Sequence, residues 1–263
     1  MDEEGVNLTR LKDQVALVTG AGGGIGRSIA QVMGREGAQV VAVSQTTLHV
    51  EETVQAVKNE GGQAIAVTAD VRSRADIERT VTTALETFGR IDILVNNAGV
   101  NVCARFLELR DEDWDRIFEV NVKGVYLTSQ VVLQHMIQRR QGSIVNIASW
   151  VGRNALPLFV PYCASKSAVL ALTRGLALEM AEYGVRVNAV LPGNVWSNIW
   201  PGVLANYTRI TGKGEEECLN EFVQGMPLKR MQTGEDIAAA VVFLCSAEAG
   251  EITGESLGVT GGL

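Results

Sequence analysis

Short apolar runs rich in β-branched residues recur along the chain, at Val15–Thr19, Val40–Val43, Ala64–Ala69, Ile91–Asn96, Ser143–Ala148, Val185–Leu191 and Ser256–Val259. Longer stretches with helical spacing separate them. The runs are continuous rather than alternating, which predicts strands covered on both faces, with the helical spacers as right-handed crossovers. The pattern therefore predicts an α/β architecture, a doubly wound parallel sheet of about seven strands. No linker, repeat or composition break interrupts it, so residues 1–263 read as a single domain. The βα rhythm is lost once, after Pro192-Gly193. There an aromatic-rich stretch from Asn194 through Trp196, Trp200 and Tyr207 to Pro227 predicts either a lid over a site, at about 194–227, or a surface helical pair with its aromatics turned inward.

Composition narrows the function. The chain is 46% hydrophobic and 20% charged, which suits a globular protein, and its net charge of −7 argues against non-specific binding to nucleic acid or to an anionic membrane. No apolar run approaches the roughly 20 residues a membrane helix needs. The acidic opening Met1–Asn7 lacks the basic start and apolar core of a secretory signal. Four scattered cysteines without a CxxC pair, and two isolated histidines, give neither a disulfide framework nor a metal site. A cytoplasmic protein is expected.

Candidate chemistry gathers where strands end. After the first strand the chain reads Thr19-Gly20-Ala-Gly-Gly-Gly24-Ile25-Gly26 and then turns amphipathic to about Gly37. Glycines here let the backbone approach a pyrophosphate, and the helix N-terminus faces it with partial positive charge. A glycine loop that follows a strand and opens a helix predicts dinucleotide binding, hence a Rossmann-type fold. The second strand ends in the neutral Ser44-Gln45-Thr46-Thr47, with no carboxylate to repel a 2′-phosphate and no basic residue to neutralise one. NADP(H) is marginally favoured over NAD(H). Asp70, before Val71, is placed either to accept from an adenine amino group or to cap the next helix. Asn97, Ala98 and Gly99 close the fourth strand with the small residues that suit backbone passing near a ligand.

Four further residues invite a catalytic reading. Asn121 and Gly124 interrupt a helical pattern running from Arg110 to Arg140, so either a local kink turns the Asn121 carbonyl toward a site or Asn121 is an incidental polar residue. Ser149 ends the fifth strand. Tyr162 and Lys166, spaced i,i+4, share one helix face, which is a solvated surface or an acid/base pair.

Taken in order, these motifs resemble the short-chain dehydrogenase/reductase family along nearly the whole chain. The glycine loop, Asn96-Asn97-Ala98-Gly99, Pro192-Gly193 and Ile252-Thr-Gly254 match family motifs, and Asn121, Ser149, Tyr162 and Lys166 match its catalytic tetrad. The resemblance implies hydride exchange between a nicotinamide and a carbinol carbon, with Tyr162 as acid/base, Ser149 positioning the substrate oxygen, and Lys166 on the ribose. Asn121 would hold a water that links Lys166 to solvent. Val195 and Ser197, in Pro-Gly-x-Val-x-Ser, would meet the nicotinamide amide, and a homotetramer is implied. Thr260 stands where the family commonly has Asp.

A free phenol titrates near 10, so action near neutrality needs about 4 kcal/mol. One ammonium at ~4 Å supplies about that at an effective dielectric of 20. Lys166 is therefore expected to pull the Tyr162 pKa down. Trp150, Asn154, Leu156, Phe159 and Trp196 are the expected pocket lining, with Arg105 and Arg153 unplaced. That largely uncharged wall suits a neutral secondary alcohol, polyol, diol or hydroxy-ketone and its ketone. A 3-oxoacyl thioester reductase is the alternative within the enzyme class, and a catalytically silent nucleotide sensor or scaffold the alternative outside it.

Overall fold

A computed structural model describes residues 9–197 and 200–263. All seven predicted runs form strands: β1 (Val15–Thr19), β2 (Gln39–Ser44), β3 (Gln63–Thr68), β4 (Ile93–Asn96), β5 (Gly142–Ile147), β6 (Val185–Pro192) and β7 (Ser256–Val259). They form one parallel sheet in the order β3-β2-β1-β4-β5-β6-β7. The helices between them are α1 (Gly24–Arg35), α2 (Thr47–Asn59), α3 (Arg74–Phe88), α4 (Asp111–Phe118), α5 (Gly124–Arg139), α6 (Val160–Met180), α7 (Trp200–Thr211), α8 (Glu215–Gly225) and α9 (Gly234–Cys245).

Period-2 geometry explains the continuous apolar runs. In β1, Ala16 and Val18 face the cluster built with α1, α2 and α9, while Val15 and Leu17 face the one built with α3, α5 and α6. Each strand therefore needs apolar residues at every position. In α9, Ile237, Ala238, Val241, Val242 and Leu244 are buried against α1.

The Arg110–Arg140 pattern is two helices. Between α4 and α5 a π-helical turn, Glu119–Lys123, adds one residue to the winding. Asn121 forces the accommodation: its buried amide accepts from Val100 N (2.8 Å) and donates to Val100 O (2.9 Å) and Ser165 Oγ (3.0 Å). Gly124 then lets the helix close onto β3's exit, since a Cβ there would lie 2.9 Å from Val71 Cγ2. Beneath this turn a chain of buried polar groups crosses the layers. Asn96 donates to Ser129 Oγ (3.0 Å) and Asn146 Oδ1 (2.9 Å), and Asn146 donates to Thr173 Oγ1 (2.9 Å).

The segment predicted as a lid forms the helices α7 and α8, packed on each other; Asn198 and Ile199 of that prediction lie outside the described residues. Its two ends are zipped together. Val195 bridges Gln232, Trp196 N donates to Gln232 O (3.1 Å), and Gln232 N donates to Asn194 O (2.9 Å).

At the opposite end of the strands Asp92, 4% exposed, accepts from Val15 N (2.9 Å) and Arg139 Nη1 (2.9 Å) and forms an ion pair with Arg90, whose Nε lies 2.9 Å away. Removing the carboxylate strands a buried N–H, so Asp92→Ala should lower stability by about 2 kcal/mol in urea titration without changing the strand content by circular dichroism.

Candidate active site

The C-terminal ends of β1, β2, β4, β5 and β6 open on a cleft of about 470 Å³. At its first end the β1–α1 loop turns through Gly20, whose φ of +66° favours glycine. Thr19 and Asn97 lock this loop to the end of β4. Thr19 Oγ1 accepts from Asn97 N (3.0 Å) and Ala98 N (3.2 Å), while Asn97 Nδ2 donates to the carbonyls of Thr19 (3.0 Å) and Gly20 (3.2 Å). The N-cap of α1 is Gly23, and no side chain caps the helix, which leaves its first N–H groups facing the cleft. Those donors and the helix dipole suit a pyrophosphate. A Cβ on Gly22 would lie 2.6 Å from Ser44 Oγ, so the loop also passes tightly over the end of β2. These residues fit a dinucleotide.

Gly20, Gly24, Ile25, Gly26, Ser44, Asn97, Ala98, Gly99, Pro192, Gly193, Val195 and Ser197 line the cleft as expected. Three expected residues do not. Asp70 is held by Arg72, whose Nη2 approaches to 2.7 Å, and that hydrogen-bonded pairing keeps its carboxyl below the usual range. Gln45 is exposed and bonds the same carboxylate, while Val71 packs on Gly124. Nor does Asp70 cap α3, because Ser73 accepts from Asp76 N (3.3 Å). His49, in the first turn of α2, lines the cleft beside Ser44. Its position just past the second strand was the signal for it, and the search for residues at strand ends passed over a helix start.

The centre of the cleft holds the tetrad. Ser149 follows β5, and Tyr162 and Lys166 stand one turn apart on α6, facing inward. Lys166 is 4% exposed and donates to Ile147 O (2.8 Å), with its Nζ 5.6 Å from the Tyr162 ring centroid. A Cβ on Gly99 would lie 3.6 Å from that Nζ and 3.4 Å from Asn121 Oδ1, which brings Asn121 to the same place. Burial pulls Lys166 down to about 8.

Tyr162 departs from expectation. Burial pushes the phenol up to about 12, and a hydrogen bond with Ser149 only partly offsets this. The Coulomb argument set an ammonium at ~4 Å against no desolvation cost. Here the ammonium turns to a carbonyl, and the surrounding protein disfavours the phenolate.

The far end is apolar. Trp150, Leu156 and Phe159 line it as expected, but Asn154 is exposed and Trp196, 56% exposed, stacks outside on Trp200. Trp200, Val203 and Phe222 from α7 and α8 take their place, together with Val151 and Asn101. The i,i+3 spacing of Trp200 and Val203 on an amphipathic helix was the available signal. Arg153 donates to Ser256 O (2.8 Å) and Arg105 to Ile210 O (3.2 Å), so neither lines the cleft. Thr260 makes a local turn, accepting from Gly262 N (3.2 Å).

Residues 14–207 match the family model described as short chain dehydrogenase. The chain belongs to the short-chain dehydrogenase/reductase family. A 3-oxoacyl-[acyl-carrier-protein] reductase of Thermotoga maritima is 35% identical over 254 residues, 97% of this chain and 99% of the relative. Among solved structures, an actinorhodin polyketide ketoreductase with NADPH superposes at a TM-score of 0.92 with 36% identity, covering 94% of this chain and 96% of its own. An NAD+-bound xylitol dehydrogenase gives 0.93 with 30% identity, covering 96% and 100%. This short-chain dehydrogenase/reductase is an NAD(P)-dependent oxidoreductase acting on CH–OH groups. Among the described residues no helix is long and apolar enough to cross a membrane.

The buried cation has a measurable signature. Lys166 titrates at 10.5 when unfolded and at about 8 when folded, so between these values the unfolded chain binds more proton and stability rises with pH. Below about 8 the full burial penalty stands. Lys166→Met should therefore be more stable than wild type at pH 7, by roughly 2 kcal/mol after the lost bond to Ile147 O, and the advantage should shrink from pH 8 to 10. Tyr162, raised rather than lowered, acts in the opposite sense only above about 10. Denaturant midpoints at pH 7, 8, 9 and 10 measure it; an advantage independent of pH would show that Lys166 is not a buried charge.

Proposed function

We propose that the protein interconverts a neutral secondary alcohol (a polyol, diol or hydroxy-ketone) and its ketone, with Asn121, Ser149, Tyr162 and Lys166 as the machinery. The observation that carries this reading is a reactive centre with an uncharged apolar wall beside it: among the described residues that line the cleft, Lys166 alone is formally charged. A 3-oxoacyl substrate on an anionic carrier would favour a basic rim, and the two arginines that could build one are committed to backbone carbonyls elsewhere.

When bound, the nicotinamide supplies the hydride. The chain supplies position and the proton. Ser149 Oγ accepts from Val151 N (3.4 Å) and hydrogen-bonds Tyr162, so the two hydroxyls stand together where a substrate oxygen would meet both. With a pKa near 12 the phenol keeps its proton at neutral pH, the state a general acid needs to protonate the oxygen of a ketone being reduced. The reverse reaction needs the phenolate, so oxidation should gain with rising pH. Lys166, cationic at pH 7, favours that phenolate and reaches the ribose side through Gly99. The Asn121 carbonyl, in the π-helical turn, is the candidate holder of a relay water.

For the cofactor, the reading favours NADP(H). No carboxylate stands at Ser44–Thr47, and the exposed His49 beside Ser44 can donate to a 2′-phosphate. The lid reading of α7 and α8 (residues 194–227) follows from Trp200, Val203 and Phe222, which cover the far end of the cleft. A cytoplasmic homotetramer completes the proposal, with the exposed Tyr126 and Leu178 of α5 and α6 as candidate subunit contacts.

Two measurements test it. Tyr162→Phe should fold and bind cofactor with near wild-type affinity while kcat for ketone reduction falls at least about 10³-fold; wild-type turnover removes Tyr162 from the mechanism. Fluorescence titration should give tighter binding of NADPH than of NADH, and the reverse order overturns the cofactor assignment.

A further inference from the structure

The cleft's apolar end contains one polar atom without an assignment. Asn101 Oδ1 is buried and has no hydrogen-bond partner among the described residues, although the side chain lines the cleft. A buried amide oxygen left unpaired costs about 1–3 kcal/mol, so an atom kept there calls for a partner from outside the chain.

Its position says which part of a ligand would meet it. Two residues earlier, Gly99 passes Lys166 Nζ, and Asn121 clamps both the N–H and the carbonyl of Val100. Two residues later, Cys103 packs among Phe159, Val203 and Tyr207, and Ala104 N donates to Leu158 O (3.0 Å). Asn101 is therefore held between the tetrad and the apolar wall by backbone pinned on both sides. The neighbouring amide at the same end, Asn194, is already committed, donating to Phe222 O (3.1 Å). The rest of that end is Val151, Leu156, Phe159, Trp200, Val203 and Phe222.

We propose that Asn101 is a specificity-determining residue whose Oδ1 accepts a hydrogen bond from a second hydroxyl of the substrate, carried beside the reacting carbon on an apolar or aromatic body. This rests on the proposed alcohol–ketone chemistry and narrows it to α-hydroxy ketones and the corresponding vicinal diols. A substrate lacking the hydroxyl leaves Oδ1 unpaired, and discrimination of about 10- to 100-fold follows.

Three probes of similar shape separate the possibilities: 2-hydroxyacetophenone, which donates; 2-methoxyacetophenone, which only accepts; and acetophenone, which does neither. Dissociation constants come from calorimetric titration of each into the full-length protein saturated with NADP+, where no turnover occurs, and kcat and KM come from reduction with NADPH. Wild type should bind the hydroxy-ketone at least about tenfold tighter than either of the others. Asn101→Leu, checked for fold by circular dichroism and for NADPH affinity, should bring the three within about threefold while leaving acetophenone unchanged, with the loss seen in KM. Equal binding of the three by wild type overturns the proposal. So does an advantage shared by the methoxy-ketone, which would make the amide a donor, or a uniform loss in Asn101→Leu, which would make it structural. The alcohol–ketone reading fails separately: hydroxyl discrimination in the titrations with no Tyr162-dependent reduction of any probe upholds Asn101 and sinks that reading, whereas reduction of all three without discrimination does the reverse.

Discussion

The site depends on keeping an ammonium out of water. Lys166 is buried, and its pKa has fallen to about 8, which leaves it charged at neutral pH by a narrow margin. A cation under that strain needs a fixed acceptor, and Ile147 O at the end of β5 supplies it. The consequence spreads outward: β5 must end where it does, and α6 must present that face. The phenol next door feels the same dry surroundings in the opposite sense, as a neutral group held neutral.

Rigidity around this charge comes from amides rather than from packing alone. Asn121 bridges the backbone of Val100 and the hydroxyl of Ser165, and so ties the π-helical turn to the β4 loop and to α6. One layer below, the path from Ser129 through Asn96 and Asn146 to Thr173 ties α5, β4, β5 and α6 in the same way. Satisfied polar chains of this kind fix relative positions more narrowly than apolar contacts, which slide. The elements that carry the site residues are thereby held in one register.

Much of this was legible beforehand because its physics is local. Doubly buried strands must be apolar throughout, and a phosphate loop must be glycine-rich where a helix begins, so strand number, parallel direction and the residues at the strand ends could be read in advance. Asn121 was readable as a misfit in a helix. What escaped depended on neighbours that only the folded backbone brings together. Asp70 looked available until Arg72 and Gln45 claimed it. Trp196 and Trp200 are equivalent in composition, and only the path of α7 sends the second inward and the first to solvent. The Tyr162 pKa was misjudged because a charge pair can be counted from spacing, whereas desolvation requires the full surroundings. Asn101 carried no mark at all, since being unpaired is a property of three-dimensional neighbours.

The zipper at Asn194–Trp196 and Gln232 gives the molecule a modular character. The stretch it encloses supplies Trp200, Val203 and Phe222 to the cleft, yet it leaves and rejoins the sheet at adjacent points. An insert with its ends already together adds little closure entropy as its length changes, because that cost grows only with the logarithm of loop length. The tetrad and the outer apolar cover thus sit on separate parts, one anchored at the strand ends and the other carried by a stretch whose two ends meet at Val195 and Gln232. Exchange of the whole 196–231 stretch is the natural unit of change for this scaffold, by evolution or by design.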